Sequence, residues 1–462
     1  MKNSLWRTAA SLVCSTLLLA GQLFFPGTLM AAKSMSMMNN LDKELDIQRP
    51  QSLLTYQSEN LIVKYKNDVK RIDAQSLIGQ HQSTSIRKFR SGAELIRLPG
   101  SSKSELMSYK QQLEQTGLFE YVEYDYKVYT ASAPCNDLLF FKQWALKNTG
   151  QFIQLVPGQP GIDINVIPAW TITRGDSNLL VAVTDTGIDL QHPELRNRAW
   201  INTGEIPGNG IDDDQNGYVD DVNGYDFYHH DNTVFDAGDQ DIHGTHVAGV
   251  IAAEANNHQG ISGIAPQVKI MALKFMGPDG GNISDAIEAI DYARSKEVKL
   301  CNASWSGTEY SQALYDAIEQ SGILFIAASG NSGADADSAP EYPAAFTCPN
   351  IISVAAINNQ GQLASWSNYG ANSVDLGAPG VGIMSILELI PRCTFLYGYI
   401  SGTSQAAPQV TGTAALVFSQ FPQMSASEVK NRILNHVKPL PSLEGKTVSG
   451  GMVNAYGALT EQ

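Results

Sequence analysis

The chain has 462 residues, of which 43% are hydrophobic and 17% charged, a composition typical of a globular protein and unlike that of a disordered one. Its net charge of −15 is unevenly distributed along the chain, because residues 1–133 sum to +4 and residues 134–462 to −19. Such an acidic C-terminal body argues against a nucleic-acid partner, which needs a basic surface, and favours solubility and divalent cations.

The first 32 residues predict a signal peptide. Lys2 and Arg7 precede a long apolar stretch, which ends in Ala31 and Ala32, small residues typical of a cleavage site. An uncleaved membrane anchor is the alternative, since the stretch is long. No later run approaches the roughly 18–20 apolar residues of a spanning helix. We expect a secreted protein, extracellular or periplasmic, without stable membrane association after cleavage.

The next region predicts a small α+β unit over residues 59–130. Residues 33–58 before it are polar and typical of a flexible lead, and residues 131–136 after it have the composition of a linker and maturation site. Periodicity predicts strands and one helix within the unit. The strands are expected at 61–66, 93–99 and 121–129, and the helix at 104–117 with Ser104 as its cap.

Residues 137–462 alternate continuous apolar strands with helical segments. This pattern is typical of an α/β fold in which helices cover both faces of a parallel sheet. Functional sites of such folds lie at the carboxyl ends of the strands. The strands are expected at 179–184, 268–273, 298–304, 323–329 and 351–356, with helices at 247–253, 282–296 and 308–320.

That rule singles out several polar residues. Asp185 follows the strand at 179–184, Asn331 follows another strand, and His243 and Ser404 each stand at the start of a predicted helix. A serine hydroxyl is a weak nucleophile that needs a base within hydrogen-bond reach, and the base needs an orienting carboxylate. Ser404, His243 and Asp185 supply that set.

Four motifs in chain order resemble those of the subtilisin-like serine proteases, the subtilases. They are D-T-G-I-D, H-G-T-H-V-A-G, A-S-G-N-S-G and S-G-T-S-Q-A-A-P, beginning at residues 185, 243, 328 and 401. The resemblance covers about residues 136–459. The 59–130 unit resembles the inhibitory propeptides of the same family, which implies a ferredoxin-like fold for it.

The resemblance implies a role for each motif residue. Ser404 is the nucleophile, His243 the general base and then acid, and Asp185 the carboxylate that orients the imidazole. The side-chain amide of Asn331 and the Ser404 backbone N–H form the oxyanion hole. The implied substrate-binding residues are Ser304, Trp305, Ser306 and Gly330.

Substrate preference stays open from the sequence. Ser306 stands where the family usually has Gly, which narrows the approach to the pocket. The acidic residues Asp335, Asp337 and Glu341 follow the oxyanion Asn331. They either favour basic substrate side chains or form a solvated acidic loop, and the second reading is the simpler one.

An acidic loop over residues 211–224 predicts a structural Ca²⁺ site. Its spacing matches the first half of an EF-hand, but Asn223 stands where the closing Glu would be. A solvated acidic turn is the alternative. The candidate ligands are Asp212, Asp214, Asn216, Tyr218, Asp220 and Asp221. The resemblance alone implies a second calcium site at Glu194 and Asn257, although the family usually has Asp at the first position.

The prediction is a monomeric serine endopeptidase made as a zymogen, with polypeptide substrates and its own propeptide as inhibitor. The alternatives are a catalytically inactive relative that binds peptides or calcium, and an esterase. A catalytic zinc is not expected, because Gly and Thr rather than Glu separate His243 from His246. Four cysteines allow three disulfide pairings, which the sequence leaves open. They are Cys135, Cys301, Cys348 and Cys393.

Overall fold

The computed structural model describes five stretches of the chain, residues 56–66, 83–126, 135–239, 241–387 and 397–460. The chain divides into two compact units between Ala131 and Ser132. The predicted signal peptide lies outside the described residues, as do Cys393 and most of the predicted lead. No helix in the described stretches is long and apolar enough to cross a bilayer.

The smaller unit is an antiparallel sheet with one described helix. Its elements are β1 (Tyr56–Tyr65), β2 (Thr84–Lys88), β3 (Ala93–Arg97), α1 (Lys103–Gln115) and β4 (Phe119–Tyr126). The strand order β4-β1-β3-β2 is that of the ferredoxin-like fold. Leu61 and Val63 of β1 pack against Leu106 and Leu113 of α1, so the apolar face of the helix covers the sheet.

Three details of this unit differ from the sequence prediction. Strand β1 starts at Tyr56, inside the predicted lead. Strand β2 was not predicted, because all five of its residues are exposed and show no apolar alternation. Helix α1 is capped by Ser102 rather than Ser104: Ser102 Oγ accepts from the Glu105 N–H, and the Glu105 carboxylate accepts from the Ser102 N–H.

The larger unit is built on a nine-stranded sheet of order β18-β19-β15-β14-β13-β12-β7-β9-β8. Every neighbouring pair from β19 to β8 is parallel, and β18 is antiparallel. The elements of the unit are β5 (Phe152–Ile153), β6 (Val156–Pro157), α2 (Val166–Ala169), β7 (Leu180–Asp185), β8 (Gly224–Asp226), α3 (Ile242–Ala252), β9 (Lys269–Lys274), β10 (Met276–Gly277), β11 (Gly280–Gly281), α4 (Ile283–Ser295), β12 (Leu300–Ala303), α5 (Gln312–Ser321), β13 (Leu324–Ala328), β14 (Ile351–Ile357), β15 (Leu376–Pro379), β16 (Ile383–Ile386), β17 (Tyr397–Ile400), α6 (Thr403–Gln420), α7 (Ala426–Asn435), β18 (Lys438–Pro439), β19 (Gly451–Met452) and α8 (Ala455–Thr460).

Both faces of this sheet are buried, as the continuous apolar strands predict. Along β7, Val181 and Val183 join one core cluster and Ala182 the other. The first cluster contains the buried faces of α3 and α6, and the second those of α4 and α5. The α/β class with helices on both faces is therefore confirmed.

The strand order places the candidate site. Strands β8 and β9, the next two strands along the chain after β7, lie on one side of it, whereas β12 pairs on its other side. The order along the sheet thus reverses at β7, and such a reversal opens a crevice at the carboxyl ends of the strands. Asp185 is the last residue of β7 and therefore lies at that crevice.

Candidate active site

A carboxylate and an imidazole form the centre of the site. Asp185 Oδ1 lies 2.7 Å from His243 Nδ1, and it also accepts from the Thr186 N–H at 2.8 Å. The Asp185 side chain is buried, and its Oδ2 has no hydrogen-bond partner among the described residues. Burial lowers the pKa of His243, but the charge and hydrogen bond of Asp185 outweigh burial and leave that pKa above its ordinary value.

Ser404 is the second residue of α6, and its hydroxyl is held by Ser304, the residue directly after β12. Its Oγ donates to the Ser304 carbonyl oxygen at 3.0 Å, and Ser304 Oγ donates back to the Ser404 carbonyl oxygen at 2.7 Å. The hydrogen bonds of the described residues include none between Ser404 and His243. Hydrogen bonds between candidate catalytic groups are often long or missing in ligand-free sites, so this geometry does not argue against the pair.

Asn331 follows β13 and is oriented by the residue before the serine. Its Oδ1 accepts from the Thr403 N–H at 2.9 Å and from Thr403 Oγ1 at 3.0 Å. An oxygen that faces two donors fixes the amide, so Nδ2 points away from Thr403 and stays available to donate. The side chain of Asn331 is exposed, which leaves Nδ2 accessible to a substrate oxygen. The adjacent Ser404 N–H belongs to the first helical turn, where N–H groups lack an intrahelical acceptor.

The predicted substrate segment after β12 is anchored at several points. Trp305 Nε1 donates to Thr184 Oγ1 at 3.0 Å, and its ring lies edge-on to Phe275 at 5.0 Å. Ser306 is exposed, and Gly307 bridges to Tyr342 in antiparallel fashion. These contacts hold the segment, whose Ser304 carbonyl accepts from Ser404 Oγ.

Gly330 lies directly before the oxyanion candidate and has a φ of +105°. A Cβ there would lie 2.3 Å from Asn368 Nδ2 and 2.4 Å from Glu341 Oε2. Glycine is therefore required at this position for conformational and steric reasons together.

A buried charge network supports the helix that carries the imidazole, and sequence reasoning missed it. Lys274 at the end of β9 is fully buried and donates to Asp239 and Asp241 at 2.8 Å each. Asp241 is the residue before α3, and His243 is two residues beyond it, in the first turn of that helix. Burial raises the pKa of Asp241 to about 6, although the ammonium of Lys274 opposes the shift. The signal in the sequence is a lysine ending an apolar strand, with three aspartates just before the histidine.

Two further residues close to the serine were also missed. Asn302 donates to Ser304 Oγ at 2.9 Å and accepts from Thr411 Oγ1 at 2.8 Å. Thr403 holds both Asn331 and the Gly330 N–H through its hydroxyl. Buried hydroxyls and amides among small residues give no signal of their own in a sequence.

His246 is structural. It is fully buried, and its Nε2 lies 3.1 Å from the Ile383 carbonyl oxygen. Burial, with a smaller contribution from the charge of His243, lowers its pKa to about 3, so the ring is neutral at physiological pH. A second carboxylate–histidine group at Asp226, His229 and Asp236 has the ammonium of Lys274 within 4.0 Å of both aspartates. That cation already compensates its charge.

The acidic loop brings together only part of the predicted calcium ligand set. Carboxylate oxygens of Asp212 and Asp214 lie within 4.8 Å of one another and of Glu205, a residue that the sequence did not suggest. Hard oxygen ligands of this kind suit Ca²⁺. Asn216 uses its Oδ1 for the Tyr218 N–H at 2.7 Å.

Asp220 and Asp221 are engaged elsewhere. The Asp220 carboxylate accepts from the N–H groups of a neighbouring turn, those of Gly208, Asn209 and Gly210. The Asp221 carboxylate accepts from Asn202, Asn216 and Tyr292. Both residues therefore brace the loop, and the fit to a cation rests on the Glu205, Asp212 and Asp214 cluster.

The second calcium set does not fit an ion. Glu194 is buried, and its carboxylate accepts from Asn257 Nδ2 at 2.8 Å, Tyr397 OH at 2.9 Å and the Ile261 N–H at 3.1 Å. Because Asn257 Oδ1 faces the Gln259 N–H, its amide nitrogen must face Glu194. A shared cation needs two oxygens there, so hydrogen bonds replace the metal at this site.

The cysteines contribute no disulfide within the described residues. Cys135, Cys301 and Cys348 are buried free thiols, and Cys393 lies outside the described stretches. Burial raises the pKa of Cys135 and Cys348 to about 11 and that of Cys301 to about 12, so all three are protonated and poorly nucleophilic.

A buried carboxylate on a histidine, with a serine and an oriented amide nearby, is the side-chain set of a serine hydrolase. Comparisons with known proteins agree with that class. The Subtilase family profile matches residues 176–458, more than half of the chain. The chain therefore belongs to the subtilase family.

Individual proteins of known type show the same relationship. The chain is 35% identical over 296 residues to the thermophilic serine proteinase of Bacillus sp. (strain AK1), covering 63% of this chain and 64% of that one. It is 32% identical over 301 residues to subtilisin-like protease 1 of Plasmodium berghei (strain Anka), covering 60% and 49%. The chain thus spans less than two thirds of the length of these relatives.

A solved structure of proteases from Pseudoalteromonas arctica PAMC 21717 is similar in fold. Its TM-score is 0.55 at 26% identity, over 71% of this chain and 99% of that chain. The match supports the subtilisin-like arrangement of the larger unit.

Proposed function

We propose that the chain is a secreted serine endopeptidase, made as a zymogen, which cleaves peptide bonds through an acyl-enzyme. The observation that carries the proposal is the 2.7 Å contact between buried Asp185 and His243, at the same strand edge as Ser404. A carboxylate in this place holds the imidazole in the tautomer that accepts a proton at Nε2.

In the first half of the reaction, Ser404 Oγ leaves the Ser304 carbonyl and attacks the scissile carbonyl carbon. His243 Nε2 takes the hydroxyl proton as the carbon–oxygen bond forms. The negative charge moves to the substrate oxygen, where Asn331 Nδ2 and the Ser404 N–H donate to it. The imidazolium then gives its proton to the leaving nitrogen, the peptide bond breaks and an acyl ester remains on Ser404.

In the second half, water replaces the leaving amine. His243 takes one water proton while the oxygen attacks the ester carbon, and the same amide and backbone donors stabilise the charge. Collapse of this intermediate breaks the ester bond, and His243 returns the proton to Ser404 Oγ. The products are a carboxylic acid and the free enzyme.

The test compares wild-type protein with Ser404→Ala on a denatured protein substrate. We expect cleavage by the wild type and none by the variant, since the nucleophile is missing. The inactive alternative would be favoured if a folded wild-type chain, released from its N-terminal unit, left the substrate whole. An esterase would hydrolyse an activated ester but leave the peptide bonds intact.

The zymogen part of the proposal rests on the two compact units and on the boundary near residue 131. The N-terminal unit has the ferredoxin-like strand order that the family resemblance implies. We expect wild-type precursor to be cut within 131–136, whereas Ser404→Ala precursor stays whole. A Ser404→Ala precursor that is already cut when it is purified would point to an outside protease instead.

A structural Ca²⁺ in the acidic loop is the second part of the proposal. Glu205, Asp212 and Asp214 would hold it, because the Lys296 ammonium, 2.9 Å from Asp214 Oδ2, pairs with only one of these three close carboxylates. The ion would stabilise the loop and take no part in the chemistry.

Chelation tests this site. We expect the thermal unfolding midpoint of the wild type to fall in a chelator, because the carboxylates lose their cation. The Asp212→Asn variant should start lower and respond less. A wild-type midpoint unchanged by chelator would remove the metal from the proposal.

A further inference from the structure

The carboxylate of Glu341 joins two chain segments that both begin at the reacting centre. One segment starts at Ser304, whose carbonyl oxygen holds Ser404 Oγ at 3.0 Å. The other contains Asn331, whose Oδ1 is held by Thr403, the residue before the nucleophile. A substrate carbonyl between Ser404 and Asn331 therefore places its acyl-side residue between these two segments. We call the space between them the gap.

Glu341 closes the far end of that gap. Its Oε2 accepts from Ser306 Oγ at 2.6 Å on the first segment, and its Oε1 accepts from Ser332 Oγ at 2.9 Å on the second. Asn368 Nδ2 donates to Oε1 at 2.8 Å and anchors the carboxylate from behind. A Cβ at Gly330 would lie 2.4 Å from Oε2, so the glycine leaves the carboxylate room against the wall of the gap.

The other two acidic residues of this loop face elsewhere. Asp337 accepts from the backbone and side chains of Asn372 and Ser373, which fixes a different turn. Asp335 is exposed and accepts from the Asp337 N–H. The structure thus separates Glu341 from the solvated acidic loop with which the sequence groups it.

The charge of Glu341 has no compensating cation. No lysine, arginine or histidine in the described stretches forms an ion pair with it, and its three donors are neutral hydroxyl and amide groups. Burial works to raise its pKa, but the hydrogen bonds from Ser306, Asn368 and Ser332 outweigh burial and leave that pKa below its usual value. The gap therefore ends in a half-buried negative charge at neutral pH.

We propose that Glu341 is a specificity-determining residue, which makes the enzyme prefer lysine or arginine on the acyl side of the scissile bond. The cationic end of such a side chain would reach the carboxylate between Ser306 and Ser332. It would replace neutral hydroxyl donors by an ionised donor, so that the hydrogen bond joins two opposite charges. The inference rests on the proposed peptidase function and names the substrate class of that same site.

The test uses a pair of peptides that differ only at the acyl-side residue, lysine in one and norleucine in the other. Norleucine keeps the apolar stem without the charge. We expect wild-type kcat/KM to favour lysine by about 10- to 100-fold, the range of a hydrogen bond to a charged group. In Glu341→Gln, which keeps the shape and removes the charge, that ratio should fall by at least about tenfold.

Asp335→Asn is the matched control, since it removes one negative charge from the same loop without contact to either serine. Its lysine-to-norleucine ratio should stay within about twofold of wild type, because exposed charges at a distance are screened. A wild-type ratio near one, or an equal loss in both variants, would overturn the role of Glu341. If neither peptide is cleaved, the result would instead count against the peptidase function itself, so the two failures are distinguishable.

Discussion

The two helices that carry the candidate catalytic side chains are held in place by different chemistry. Helix α3, with His243, begins in a cluster of buried charges around Lys274. Helix α6, with Ser404, begins among neutral hydrogen bonds, in which Ser304 Oγ donates to the Ser404 carbonyl and the Thr403 N–H donates to Asn331 Oδ1. Removing one partner of a buried ion pair costs about 3–5 kcal/mol, whereas removing one partner of a buried neutral hydrogen bond costs about 1–3 kcal/mol. The histidine side of the site should therefore be the more sensitive to a single change.

The largest effect is expected from Asp185→Asn, which breaks the histidine side at its carboxylate. The amide keeps the shape but favours the wrong imidazole tautomer, so kcat should fall by about 10⁴-fold. KM should change little, because the substrate contacts lie on the other segments. Steady-state kinetics on one peptide measure this, with circular dichroism as the check of folding. A loss below about tenfold would contradict the assigned role.

Lys274→Met should cause the largest loss of stability. Removing a buried cation leaves Asp239 and Asp241 uncompensated, at a cost of about 3–5 kcal/mol in the free energy of unfolding. Because burial already raises the pKa of Asp241 to about 6, protonation relieves part of the repulsion. The loss should therefore be greater at pH 8 than at pH 5.

Lys269→Met is the control for that variant. Lys269 lies on the same strand, β9, and its Nζ donates to the Asn197 carbonyl oxygen in an exposed setting. Urea unfolding should show a change within about 0.5 kcal/mol. Equal losses at both lysines, or no dependence on pH, would mean that the buried charge network does not distinguish the histidine side.

Thr403→Val tests the neutral, serine side of the comparison. The variant removes one of the two donors to Asn331 Oδ1 and the acceptor of the Gly330 N–H, while the Thr403 N–H remains. We expect kcat to fall by about tenfold with little change in KM, since the amide acts on the transition state. Thr413→Val, at a buried helix position whose hydroxyl donates to the Gln409 carbonyl, should leave kcat within about twofold.

The smallest effect is a displacement of the pH profile. The pKa of His243 is raised, and only the neutral imidazole accepts the serine proton, so kcat/KM should decrease as pH falls through that raised value. The acid limb should have its midpoint above 6.5. A norleucine peptide is the substrate for this measurement, because Glu341 then faces no cation. A midpoint at or below 6.5 would show that Asp185 does not dominate the imidazole.

The sequence alone determined those features whose signal lies in neighbouring residues, namely the apolar periodicity of the strands and the short motifs of the candidate site. Continuous apolar strands predict the parallel sheet, since both of its faces are buried. The candidate residues Asp185, His243, Asn331 and Ser404 stand within short motifs, so the sequence alone singles them out. The α/β fold and the family follow from these local signals.

Only the tertiary structure decided which residues from distant segments contact one another. It pairs Lys274 with Asp241, turns the Asn257 amide nitrogen toward Glu194 and sets Glu341 between Ser306 and Ser332. An aspartate or glutamate looks the same in the sequence whether its carboxylate binds a cation, caps a turn or lines a cleft. Its role depends on which donors surround it and how far it is buried, and strand order and loop packing set both of these.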